Sequence, residues 1–214
     1  MRLAHHSLGR FAVAGALLLS SACSILPQAE PSDVYRLTTS QSAPQAAHGA
    51  PLAWSLRVAR PRASEALDSP RIAVVPQGDL ISNYKGARWS DPAPVALRNR
   101  LLDAFTRDGR VQSLSTDDSN LQADFELSGE LQAFQSEYHG QVIDVVVRLD
   151  ARLVSEDKRI VASRRFDVHQ PVTDKQVPSV VAGFSQASDT LAAQLVQWTL
   201  EQGQKHYAMA PKNQ

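Results

Sequence analysis

The chain has 214 residues, 43% of them hydrophobic and 21% charged, with 22 Lys and Arg against 22 Asp and Glu. These are the proportions of an ordinary soluble domain, which argues against an intrinsically disordered chain and a multi-span membrane protein. A formal charge of zero argues against broad electrostatic binding of nucleic acid, and a single cysteine, Cys23, excludes an intrachain disulfide.

Arg2, His5, His6 and Arg10 open the chain, the apolar stretch Phe11 to Leu19 follows, and Ser20, Ser21, Ala22 and Cys23 close the segment. This is the three-part layout of a secretory signal. The apolar run is too short for a permanent anchor, because a helix needs roughly twenty residues to cross the hydrocarbon core. Ser21 and Ala22 before Cys23 resemble the bacterial lipobox, in which lipid is added to the cysteine thiol and the signal is cut just before it. The leucine usual three residues before the cysteine stands one step earlier, at Leu19, with Ser20 in its place. The alternative, a secreted protein cleaved near Ala22 with a chance free thiol, is disfavoured because the sole cysteine occupies the lipobox position. Residues 1–22 are therefore expected to be a lipoprotein signal peptide, and its loss leaves 20 basic against 22 acidic side chains. Two or three acyl chains, at about 0.8 kcal/mol per buried methylene, make attachment effectively permanent. Ser24 is not the Asp that retains many enterobacterial lipoproteins in the inner membrane; by resemblance to that rule the periplasmic side of the outer membrane is favoured.

Residues 23–53, rich in Pro, Ala, Gln and Ser, read as a lipidated tether, with one short strand-like run at Val34 to Leu37. A domain is expected over 54–203, and a tail over 204–214. Trp54 to Ala59 alternates, Arg71 to Val75 is an apolar run ended by Pro76, and Leu80 to Lys85 continues as a third strand. Asp91 as N-cap with Pro92 at the first helical position predicts a helix to Asp108, with Leu97, Leu101, Leu102 and Phe105 at helical spacing and Gly109 as C-terminal cap. Arg98, Arg100 and Arg107 fall mostly off that apolar stripe.

A short strand is expected near Val111 to Leu114. Phe125, Leu127, Gly129 and Leu131 then share one face of a long strand in which Phe134 breaks the alternation and marks a bulge. Ile143 to Leu153 alternates strictly; Ser155 to Lys158 turns the chain, and Ile160, Ala162, Phe166 and Val168 return it, so three long antiparallel strands in a row are expected. Finally, Val177, Val180, Val181, Phe184, Ala187, Leu191, Leu195 and Trp198 form the stripe of a helix from about Gln176 to Gln202. The fold class is α+β, a mainly antiparallel sheet covered on one face by two helices.

Little in this pattern points to catalysis. His139 with Glu137 and Asp144, and His169 with Asp167, lack recognised metal-ligand spacing and are better read as surface side chains. No phosphate loop, nucleophile elbow or zinc-protease motif occurs, so neither catalytic nor metal residues are assigned, and no cofactor beyond the covalent lipid on Cys23 is called for. Tyr84, Arg88 and Trp89 mix aromatic and cationic groups in an exposed-looking loop, a combination favoured at protein interfaces. The competing reading is that Trp89 packs over the following helix.

The string from Arg71 to Phe105, above all Ala87 to Pro94 (ARWSDPAP), after the early Val34 to Leu37, resembles the ABC-type transport auxiliary lipoprotein family, the PqiC-like proteins. The lipobox at Cys23 and the long C-terminal helix agree with it. The resemblance covers about Tyr35 to Leu200. It implies a non-catalytic envelope lipoprotein whose partners are an MCE-domain protein and ABC transporter components, in a system that moves phospholipid or other hydrophobic molecules between the two membranes. Docking of the MCE protein at the outer membrane is the first expectation, with the Tyr84 to Trp89 segment and an exposed strand edge as surfaces. A periplasmic lipid carrier, with a pocket lined by Phe105, Phe184 and Leu191, and a lipoprotein of another envelope assembly machine are the alternatives. A homo-oligomer is compatible with each.

Overall fold

The structure is a computed structural model and describes residues 31–40, 49–119 and 121–209. The expected signal segment and Cys23 lie outside the described residues. One sheet holds β1 (Asp33–Tyr35), β2 (Leu56–Val58), β3 (Arg62–Ala63), β4 (Arg71–Gln77), β5 (Leu80–Trp89), β6 (Leu114–Thr116), β7 (Phe125–His139), β8 (Val142–Ser155) and β9 (Ile160–Val172). Among the described residues the helices are α1 (Ala93–Asp108) and α2 (Val177–Met209).

The three long strands follow from their alternation. Ile143, Val145, Val147, Leu149, Ala151 and Leu153 of β8 are buried, and from Val145 to Leu153 they share one core cluster with Val180, Phe184, Ala187, Leu191 and Leu195 of α2. Fully burying each such side chain stabilises the fold by about 1.5–3 kcal/mol. β8 pairs antiparallel with β7 along its length and with β9 on its other side. The pairing shifts between Leu131 and Ala133, so the bulge falls at Gln132, just ahead of Phe134, and the residues on either side of the new register, Ala133 and Phe134, are both buried.

The expectation of a mainly antiparallel sheet does not hold. The free side of β7 receives β2, β3 and β4 in succession, all parallel, while β1 lies parallel to β5 and β6 parallel to β2. Among the described strands only β4–β5, β7–β8 and β8–β9 are antiparallel, so the sheet is mixed. Those three pairs are joined by tight turns, which leave a local signature; parallel neighbours far apart in sequence leave none.

Several boundaries also move. β4 runs through Pro76, which sits where the pairing with β5 shifts between Val74 and Gln77, the kind of irregularity at which a strand tolerates proline. β6 begins at Leu114, and Val111 instead forms an isolated bridge with Leu52. Asp91 is not the N-cap of α1. Pro92 caps it, with its carbonyl accepting from the Val95 and Ala96 N–H groups, while the Asp91 carboxylate accepts from Ser90 Oγ at 2.8 Å. Gly109 closes α1 as expected, at φ 76°, donating its N–H to Phe105 O at 3.1 Å.

The second helix extends past Gln202 to Met209. Gly203 lies inside it against Trp54, where an added Cβ would come within 2.9 Å of the indole Cζ2. α2 packs along β8 and β9 and touches α1, which packs against β2 and β6.

Candidate functional site

The Tyr84 to Trp89 segment is part of β5, not a loop, so successive side chains point to opposite faces. Trp89 is 1% exposed; its ring meets Phe184 edge-on at 5.2 Å and Phe134 at 5.9 Å, while Phe134 and Phe184 stack at 4.7 Å. Trp89 is thus a core residue, and the exposed aromatic surface expected there is not formed. Tyr84 is half-buried, its hydroxyl 3.0 Å from Ser136 Oγ and 2.8 Å from Tyr138 Oη. Burial pushes this phenol well above its ordinary value of 10.0; the Ser136 hydrogen bond opposes the shift and Tyr138 adds to it.

Arg88 alone of the three is exposed. It stands directly opposite Arg71 across β4–β5 and opposite Val34 across β1–β5. Two like charges facing each other on an antiparallel pair are unfavourable. Neither guanidinium has a carboxylate partner among the described residues, and Arg71, which sequence reasoning passed over, is exposed as well.

A second polar feature was not anticipated. Asp189 and Arg100, each only 4% exposed, pair between α2 and α1, with two guanidinium nitrogens on Asp189 Oδ1. The other carboxylate oxygen accepts from Ser40, from its N–H at 2.7 Å and its Oγ at 2.5 Å. Thr39 Oγ1 reaches Asp103 at 3.3 Å, and Asp103 also accepts from Arg100 Nη1 at 3.2 Å. The segment downstream of Cys23 is therefore fastened to the domain twice, by β1 on the sheet edge and by Ser40 on the helix pair. The apolar stripe carried no signal for it, because Asp189 lies about 140° around the helix from Phe184, on a second buried flank with Ser185, Ala192 and Val196.

The histidines sit in exposed pairs: His139 Nε2 is 3.6 Å from Glu137 and His169 Nε2 is 3.3 Å from Asp167. Asp144 stands opposite Glu137 across β7–β8, and no group of three or more potential metal-ligating side chains of the His, Cys, Asp and Glu type forms among the described residues. Phe105, Phe184 and Leu191 are fully enclosed members of the packed core. No helix among the described residues is long and apolar enough to cross a membrane.

The family model for the ABC-type transport auxiliary lipoprotein component matches residues 35–196. An uncharacterised protein of Bradyrhizobium diazoefficiens is 30% identical over 167 residues, 78% of this chain; the chain spans only 44% of that relative's length. The crystal structure of a Xanthomonas campestris protein is similar with a TM-score of 0.71 and 32% identity, over 83% of this chain and 100% of that one. A second crystal structure, of an uncharacterised protein, has a TM-score of 0.60 over 78% of this chain and 98% of its own; at 15% identity this is a likeness of fold.

Proposed function

The chain belongs to the ABC-type transport auxiliary lipoprotein component family, and on that premise we propose that it is a non-catalytic, lipid-anchored component of an MCE-type ABC transport system. The system would move phospholipid or other hydrophobic molecules between the inner and outer membranes. Residues 1–22 are removed, acylated Cys23 holds the protein at the periplasmic side of the outer membrane, and the folded domain docks the MCE protein by direct contact.

The observation that carries this reading is the family match itself, which runs from β1 well into α2 and so takes in almost the whole described domain. Docking is favoured over lipid carriage because the side chains that would line a carrier pocket, Phe105, Phe184 and Leu191, are already in contact with other core residues. A domain of this size needs such burial to offset chain entropy. Arg88 beside Arg71 supplies an exposed cationic spot suited to an acidic segment of the partner.

The anchor is tested by intact mass and membrane fractionation of the wild type and Cys23→Ala. The expected result is an acylated chain starting at Cys23 in the membrane fraction and an unacylated variant released from it; equal membrane retention of the two would overturn the anchor.

A further inference from the structure

We propose that the end of the sheet formed by the β4–β5 and β7–β8 hairpin tips rests on a lipid bilayer, the same bilayer that holds Cys23; this builds on the lipid-anchor reading above. The two tips are neighbours. β4 lies parallel to β7, with Val75 opposite Glu137, so both strands end on the same side of the sheet. Gly78, Asp79 and Ile81 of one tip and Tyr138 and His139 of the other line a shared cleft. Both turns are tight, with Gly78 at φ 52° and Gly140 at φ 67°.

Hairpin tips of this kind are ordinarily polar, yet these expose Leu80 (61%), Ile81 (46%) and Val142 (55%). Leu80 pairs with Gln77, and Val142 with His139, so the two aliphatics mark the outermost rungs of adjacent hairpins. None of the three belongs to the core cluster. Lys175 lies over the Tyr138 ring at 4.8 Å, placing a cation with a long apolar stem beside the same tips, the type of side chain that spans an apolar–aqueous boundary.

The direction of the chain selects the occupant. β1 is parallel to β5 with Asp33 opposite Ala87, so the polypeptide enters β1 from the side of the tips. The ten residues from Cys23 to Asp33 span at most about 35 Å, whereas Leu80 to Ala87, which includes the β5 irregularity opposite Arg71 to Ala73, takes up at most roughly 23 Å. An acyl group on Cys23 therefore reaches the plane of the tips without the chain turning back. Leu121 and Ile160 are also exposed, Ile160 at the β8–β9 turn, but the tether would have to reverse as it leaves β1 to bring the opposite end of the sheet to the bilayer.

The test uses the mature acylated protein in vesicles of phosphatidylethanolamine with a minor share of phosphatidylglycerol. An environment-sensitive fluorophore is placed at Leu80→Cys, Val142→Cys or Ile160→Cys, all exposed positions. The expected result is a blue shift and several-fold stronger quenching by nitroxide-bearing lipid at 80 and 142 than at 160. Equal quenching at all three, none at 80 and 142, or shielding of 80 and 142 only when a protein partner is added would each overturn the proposal. Failure of the anchor reading shows separately, as an intact mass without acyl chains. In that event the same labels in a Cys23→Ala background still decide: entry of 80 and 142 into the bilayer supports the contact, and labels that remain in water overturn it.

Discussion

Asp189 lies on a buried flank of α2 beside Ser185, Ala192 and Val196, and its carboxylate is held by Arg100 on one oxygen and by Ser40 on the other. Removing one partner of such a buried pair leaves an uncompensated charge, which costs about 3–5 kcal/mol. Asp189→Ala is expected to lower stability by that amount in urea denaturation, while the double change Arg100→Met with Asp189→Leu recovers most of it. Neither member of the pair was legible in the sequence: Asp189 lies off the stripe of Phe184, Ala187 and Leu191, about 140° around the helix from Phe184, and Arg100 had been assigned to the polar side of α1. Tyr84 gives a pH signature. Its folded value lies above 10.0 because burial disfavours the phenolate, so its contribution is complete below the unfolded value and is lost as pH rises through the folded one. Stability of the wild type is expected to fall above about pH 10, and Tyr84→Phe to lack that component, as read from denaturation midpoints across the alkaline range.

Elements whose faces differ were legible; their neighbours were less so. The alternation of β8 and the turn at Ser155 to Lys158 define a hairpin by themselves, and the structure pairs β7, β8 and β9 accordingly. β2 and β3 span three and two residues and pair in parallel with a strand some seventy residues away, too short for periodicity and too distant for a turn signal. α2 runs past its expected end at Gln202, and Gly203 lies inside the helix, where its missing side chain admits the Trp54 ring. Gly203→Ala is accordingly expected to destabilise by about 1–3 kcal/mol through overpacking, although alanine is the better helix former. In the β8–β9 turn Lys158 adopts φ 65°. Lys158→Gly is expected to raise the melting temperature, relieving up to about 1 kcal/mol of left-handed backbone strain.

At the scale of the whole molecule the two ends of the β4–β5 ladder differ in surface chemistry. The hairpin tips with Leu80, Ile81 and Val142 lie at one end, and Arg71 opposite Arg88 lies at the other end of the β4–β5 ladder, roughly 20 Å away along β4 and level with the middle of β7. A chain fastened at β1 and Ser40 and anchored through Cys23 would hold the first end at the membrane and present the second to the periplasm. The sequence resemblance located the tryptophan segment within the family pattern, but Trp89 belongs to the core, and Lys85 and Arg88 carry the exposed charge of the segment. Photocrosslinking from position 88 in living cells, followed by mass spectrometry of the adducts, decides whether this domain docks an MCE protein. The expected result is an adduct with an MCE-domain protein that disappears in the Cys23→Ala background; adducts only with unrelated envelope proteins would contradict it.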